Sequence, residues 1–279
     1  MRITLDTLRQ MKHASRKFAM LTAYDFPTAV AAQAAGVHSL LVGDSAAMVV
    51  LGHESTRPVT VEFLVTIASA VRRGSPLAFL VGDMPYQPMQ QGEHATFGAA
   101  LRFRDEAGCD AVKLEVEPQH APVISRIAAA GIAVIAHLGL RPQSVTTPDG
   151  YKPQARDEDS IAMLAADCRR MVDAGAAMIL LEAVPNEASQ AVIDAVGPEI
   201  VVIGCGAGSA CDGHVVVTHD MLGLSDMRPP RFVPVLADLR EQTRAAMRQY
   251  VESIERGDYP GPQHGYSLAR GAATAKAAT

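Results

Sequence analysis

The stretch Ser39-Leu40-Leu41-Val42-Gly43-Asp44-Ser45 decides the fold. A short apolar run, too short for a helix, ends in an acid. The pattern returns at Leu77-Ala78-Phe79-Leu80-Val81-Gly82-Asp83, at Ala111-Val112-Lys113-Leu114-Glu115 and at Met178-Ile179-Leu180-Leu181-Glu182. Runs of this kind read as strands buried on both faces, as in a parallel sheet. Each carboxylate then stands at the C-terminal end of its strand, where catalytic groups gather in a (β/α)8 barrel. The alternative is that each acid caps the next helix or binds a neighbouring arginine.

Outward from these four, further strands are expected over residues 17–22, 132–136, 200–203 and 215–218, and the third of the eight over residues 77–81. Helices are expected over residues 4–12, 27–35, 60–73, 93–107, 118–131, 157–174, 186–196 and 236–256. Gly36, Gly74 and Gly131 stand at helix stops, and Thr60 at a helix start. Eight strands at roughly 25–40-residue intervals with helices between them match a closed (β/α)8 barrel better than an open doubly wound sheet. Residues 1–266 form one such domain with an N-terminal and a C-terminal helix, and residues 267–279 are an Ala-rich tail. The connections over residues 46–60 and 141–157 are long enough to be functional, the second as a lid.

The chain has 279 residues, 48% hydrophobic, with a formal charge of −5. That balance argues against nucleic-acid and anionic-membrane partners. The first 17 residues lack the apolar core of a secretory signal. The most apolar stretch, residues 127–140, is broken by Gly131 and His137 and is too short to span a bilayer. The four cysteines have no zinc spacing. Cys109 and Cys205 sit at or in apolar runs and read as buried thiols, which suits a reducing cytoplasm.

Asp44, Asp83 and Glu115 end neighbouring strands, and an all-oxygen set of this kind suits Mg2+ better than zinc. Lys113 lies two residues before Glu115, so both side chains share one face of the strand. Such a lysine binds a substrate carboxylate, forms a Schiff base, or makes a structural ion pair with Asp83 or Glu115. Glu182 ends an apolar run apart from the other acids, where burial would raise its pKa and make it a general base. Its other role would be to cap the helix that follows. His137 is placed to bond a substrate or a developing enolate oxygen, or is structural. The turn Gly204 to Gly208 either cradles a phosphate or lets the backbone pass close to a bulky group. His219-Asp220 is a weaker signal of either function or a structural pair.

Several stretches resemble the ketopantoate hydroxymethyltransferase family: Leu21 to Asp25 (LTAYD), Leu41 to Ser45 (LVGDS), Gly52 to Thr56 (GHEST), Val112 to Glu115 (VKLE), His137 to Leu140 (HLGL), Pro142 to Val145 (PQSV), Gly150 to Lys152 (GYK), Leu181-Glu182, Gly206 to Gly208 (GAG) and His219-Asp220. They follow in order from about residue 4 to residue 264 and are specific only together. The resemblance implies a (β/α)8 barrel of the phosphoenolpyruvate/pyruvate superfamily, assembled as a homodecamer. It implies Mg2+ at Asp44, Asp83 and Glu115, a 2-oxo acid bound by Asp44, Ser45, Asp83 and Lys113, and Glu182 as proton acceptor. The implied reaction moves a hydroxymethyl group from 5,10-methylenetetrahydrofolate to 3-methyl-2-oxobutanoate through a Mg-stabilised enolate, giving 2-dehydropantoate in pantothenate biosynthesis. The chain departs from the family pattern at Val116-Glu117, at Met84 to Pro88, around Pro153 to Ala155, and at Cys205 where Ile is typical. Two other readings compete: a lyase or mutase on the same barrel, against which the lack of a KKCGH-like cysteine loop speaks, and a non-catalytic assembly subunit, against which the retained acids and lysine speak.

Overall fold

Eight parallel strands pair in chain order and the eighth closes on the first. They are β1 (Phe18–Thr22), β2 (Ser39–Val42), β3 (Phe79–Asp83), β4 (Ala111–Glu115), β5 (Ala133–Gly139), β6 (Met178–Glu182), β7 (Val201–Cys205) and β8 (Gly213–Val216). The structure is a computed structural model, and it describes residues 1–147 and 150–267. The expected tail therefore lies, apart from Ser267, outside the described residues, as do two residues of the expected lid.

The helices are α1 (Leu5–His13), α2 (Phe26–Ala34), α3 (Ala46–Val49), α4 (Val61–Gly74), α5 (Tyr86–Gln91), α6 (Glu93–Asp105), α7 (Ala121–Ala129), α8 (Glu158–Asp173), α9 (Asn186–Val196), α10 (Thr218–Met221) and α11 (Leu239–Glu255). Side-chain oxygens cap the starts that the sequence marks. Thr28 N donates to Asp25, Phe63 N to Thr60 and Ser160 N to Asp157, each satisfying an orphan amide of a first turn.

Strand alternation sorts the core into two layers. Leu40, Val42, Leu80, Val112, Leu114, Ile179, Leu181 and Val202 face outward onto the helices, against Leu64, Val71, Phe103, Ile124 and Met171. Leu41, Phe79, Val81, Ala111, Ile135, Met178, Leu180, Val201 and Ile203 face inward. Helix α1 closes the bottom of the barrel with Leu8 and Met11 in that inner layer. Lys12 of α1 donates to the Ile200 carbonyl and lies 3.1 Å from Asp212 Oδ2. The same parity carried two residues further puts Asp83, Lys113, Glu115, His137 and Glu182 on the inner face at the C-terminal mouth. The charges are inside because they continue an apolar face, not because a strand is irregular.

Several expectations need correction. β3 begins at Phe79, since Leu77 is exposed and Ser39 aligns with Phe79 in the β2–β3 register. Asp83 is therefore the last strand residue and pairs in register with Lys113. β8 starts earlier than expected, at Gly213, so His219 and Asp220 lie on α10. The connections after β2 and β3 hold short helices, α3 and α5, where irregular chain was expected. The 3-10 turn Pro118–His120 precedes α7. Helix α11 starts at Leu239 and none of its residues is buried.

Candidate active site

A cavity of about 450 Å3 opens at the C-terminal mouth and is lined by Asp44, Ser45, Asp83, Lys113, Glu115, His137 and Glu182. All seven residues singled out from the sequence thus meet in one place. Lys113 Nζ lies 2.8 Å from Asp83 Oδ1 and 3.3 Å from His137 Nδ1. His137 Nδ1 is 3.9 Å from Glu115 Oε1, and its Nε2 is 3.4 Å from Glu182 Oε2. Asp83 Oδ2 accepts from the Asp44 amide at 3.0 Å. The Ser45 hydroxyl shares a 2.7 Å hydrogen bond with the buried Tyr24 hydroxyl. The structural ion pair weighed for Lys113 is present, with Asp83 as its partner. Glu182 caps nothing: Pro185 occupies the N-cap of α9 and no side chain bonds its first turn.

Burial dominates the electrostatics. It raises the carboxyls of Asp83 and Glu115, with the charge of Asp44 adding to both and Lys113 opposing. Burial alone would lower the Lys113 ammonium, but Asp83, Asp44 and Glu115 carry it above the ordinary lysine value. His137 is pushed well below the usual imidazole range by burial and by Lys113, so it is neutral. Burial raises Glu182 to about 7, the range in which a general base works best at neutral pH.

Among the described residues, no group of three or more His, Cys, Asp or Glu side chains is arranged to hold a metal ion. Asp44, Asp83 and Glu115 share the cavity, but Glu115 faces the β5 loop, where both its oxygens accept from the Gln143 amide at 3.3 and 3.0 Å. The remaining pair, Asp44 and Asp83, still fits a hard divalent ion. Mg2+ commonly takes one or two carboxylates and fills its other positions with water and substrate oxygens. Asp83 Oδ1 is buried and, among the described residues, has no partner besides the Lys113 ammonium.

Sequence reasoning missed Gln143, Tyr24, Thr56 and Tyr151. Thr56 and Tyr151 line the cavity, and only the family-like stretches around these residues marked them. Cys205 also lines it and is half-buried rather than buried, while Cys109, Cys168 and Cys211 are buried; all four are free thiols. The glycine turn is explained by close packing. A Cβ on Gly206 would lie 2.5 Å from Phe232, and one on Gly208 2.6 Å from Asn186. Asn186 Oδ1 accepts from the Ser209 and Ala210 amides, closing the turn. Asp220 Oδ1 accepts from the Ser225 hydroxyl at 2.5 Å.

A closed parallel barrel with a buried lysine, a neutral imidazole and four acids at its mouth defines a (β/α)8-barrel enzyme. Solved structures with the same fold include phosphonopyruvate hydrolase with oxalate and Mg++ (TM-score 0.61, 12% identity, 95% of this chain and 92% of that one). Another is 2,3-dimethylmalate lyase, a PEP mutase/isocitrate lyase superfamily member (TM-score 0.59, 20% identity, 94% and 89%). The ketopantoate hydroxymethyltransferase family model matches residues 2–262. The 3-methyl-2-oxobutanoate hydroxymethyltransferase of Carboxydothermus hydrogenoformans is 41% identical over 268 residues, 96% of each chain. That of Oleidesulfovibrio alaskensis is 42% identical over 266 residues, 95% of this chain and 91% of its own. The chain belongs to the ketopantoate hydroxymethyltransferase family, and it is an enzyme, a hydroxymethyltransferase.

Proposed function

We propose that this enzyme transfers the one-carbon unit of 5,10-methylenetetrahydrofolate to C3 of 3-methyl-2-oxobutanoate, giving 2-dehydropantoate for pantothenate biosynthesis. Mg2+ would be held by Asp44 and Asp83 with Glu115 adding negative charge beside them, and when bound it supplies Lewis-acid polarisation of the 2-oxo acid. Lys113 binds the substrate carboxylate in place of its present ion pair with Asp83. The Ser45 hydroxyl, steadied by Tyr24, orients the same end of the substrate. Glu182 takes the C3 proton. Neutral His137 stands between Lys113 and Glu182: its Nδ1 faces the Lys113 ammonium as an acceptor, which leaves the ring proton on Nε2, 3.4 Å from Glu182. Water opens the methylene bridge of the donor, releasing tetrahydrofolate and a one-carbon unit at the formaldehyde level. The enolate carbon adds to that carbon, and its oxygen takes up a proton to become the new hydroxyl.

The observation that carries this reading is Glu182, a carboxylate raised to about 7 that faces the cavity from β6, two strands from Lys113. The cavity volume of about 450 Å3 is also large for a five-carbon acid alone and lies within the usual range for drug-sized ligands. The deciding experiment follows the C3 proton signal of 3-methyl-2-oxobutanoate by NMR in D2O. Metal-dependent loss of the signal with the enzyme, absent with Glu182→Gln, is the expected result. No exchange from folded, metal-loaded enzyme, with or without tetrahydrofolate, would rule the assignment out.

We infer further that the enzyme assembles as a homodecamer in the cytoplasm. Support comes from α11, which leaves Met247, Tyr250, Val251 and Ile254 exposed, an apolar surface that a second copy would cover. Among the described residues no helix is long and apolar enough to cross a membrane. Native mass spectrometry decides the assembly: a monomer at micromolar concentration would exclude it.

A further inference from the structure

Gln143 is the one buried residue of the 3-10 turn Pro142–Ser144, which follows β5 at the barrel mouth. A glutamine side chain is rarely buried without full use of its amide. Here Nε2 donates to Asp44 Oδ2 and to the Met84 carbonyl, both at 2.9 Å. The Gln143 main-chain amide donates to both oxygens of Glu115. Its carbonyl accepts from Arg57 Nε at 2.7 Å, and the Arg57 guanidinium also lies 4.8 Å from the Tyr86 ring. One residue from the β5 loop thus ties together the ends of β2, β3 and β4 and the connection that follows β2.

We propose that Gln143 is a positioning residue for the divalent-ion site, acting through Asp44 and Glu115 rather than touching ion or substrate. The proposal rests on the reading of Asp44 and Asp83 as the metal-holding pair. An aspartate just past a strand end has free side-chain torsions, and a single fixed donor to Oδ2 selects the rotamer that presents the other oxygen. Holding Glu115 from the backbone keeps that carboxylate beside the pair without collapsing onto it. Outer hydrogen bonds of this kind typically set metal affinity by about 10–100-fold. The two contacts are separable. A side-chain change removes the Asp44 and Met84 bonds, whereas the Glu115 bond comes from the main chain and stays.

The test is calorimetric titration of Mg2+ into metal-free wild type, Gln143→Ala and Gln143→Met, together with melting curves with and without Mg2+. Methionine keeps most of the volume of glutamine but donates nothing, so it separates packing from hydrogen bonding. Both variants should bind Mg2+ about 10–100-fold more weakly. Their Mg2+-dependent rise in melting temperature should shrink, while the metal-free melting temperature changes little for Gln143→Met. Mg2+ affinity of Gln143→Met within about twofold of wild type, far below the outer-shell effect, would overturn the proposal. So would variants that unfold without metal, because Gln143 would then be a strut of the fold. Failure of wild type itself to bind Mg2+ would instead overturn the metal-site reading beneath it.

Discussion

His137 Nε2 lies 3.4 Å from Glu182 Oε2 in the barrel interior, while the opposite ring nitrogen faces Lys113 at 3.3 Å. A neutral imidazole therefore separates the cation that would bind substrate from the carboxylate that would take its proton. If His137 were charged, it would hold Glu182 ionised at low pH and weaken it as a base. Burial and the neighbouring ammonium keep it neutral, so Glu182 keeps its raised pKa.

The first prediction is a pH profile. Glu182 accepts a proton only as the carboxylate, and burial raises its pKa to about 7. The rate of C3 exchange should rise with pH, reach half its limit near 7 and level off above. The charged or titratable neighbours that bear on it are Lys113 and Asp44, together with His137, 3.4 Å away, and with Glu115, Tyr151 and Cys205, each of which Glu182 itself shifts. A rate already flat from pH 5.5 upward, read by NMR in buffered D2O, would remove Glu182 from the role.

The same shift makes a stability prediction. An acid whose folded pKa lies above its unfolded value holds its proton in the native state first. Between the ordinary glutamate value of 4.5 and about 7, stability therefore falls as pH rises, and the loss is complete above that window. Glu182→Gln removes the loss. It should be more stable than wild type at pH 8, by at most about 3 kcal/mol, and similar to it at pH 4.5. Denaturant unfolding at the two pH values checks the difference.

Lys113 and Asp83 form a buried pair, each almost fully out of solvent. Breaking such a pair typically costs about 3–5 kcal/mol, because one charge is left unmatched. Lys113→Met should therefore melt well below wild type in the absence of metal. Mg2+ should restore part of the loss, since Asp83 would regain a cation. A variant that melts like wild type without metal would show that Asp83 is protonated in the free enzyme.

Much of this was legible in the sequence, for a simple reason. The runs at Ser39–Val42 and Met178–Glu182 are buried on both faces, so their apolar composition marks them, and the acid that ends each marks the mouth. The start of β3 was misplaced because Leu77 and Ala78 are apolar but precede the ladder, and only pairing with β2 sets the register. Helix α3 was unreadable because four residues carry no periodicity. Gln143 was missed because its importance lies in partners far along the chain, Asp44 99 positions away and Met84 59 away, and no local pattern encodes a long-range hydrogen bond.

Gly139 closes β5 with φ +87, and a Cβ there would lie 2.5 Å from the Glu182 carbonyl oxygen and 2.9 Å from Val184. That carbonyl accepts the Leu140 amide at 2.8 Å, so the contact cannot open without loosening β6. Gly139→Ala combines a left-handed backbone with a clash, at a cost of about 1–3 kcal/mol or more. The loss of stability should come with a loss of C3 exchange, because the residue displaced is Glu182. A destabilised variant with full exchange would show that the loop yields instead of the strand.

Thr56 offers the opposite case, a group that is costly in the free enzyme. It is buried, its hydroxyl has no hydrogen-bond partner among the described residues, and it lines the cavity. An unmatched buried hydroxyl costs about 1–3 kcal/mol, and valine has nearly the same shape without the polar atom. Thr56→Val should therefore raise the melting temperature of the free enzyme by a few degrees. If the hydroxyl finds its partner on a reactant, the same variant should raise KM for that reactant several-fold while kcat changes little. Measuring KM separately for the 2-oxo acid and the one-carbon donor then shows which of them lies against the connection after β2. A variant with a lower melting temperature and both KM values unchanged would show that the hydroxyl is already satisfied in solution, and Thr56 would drop out of the site.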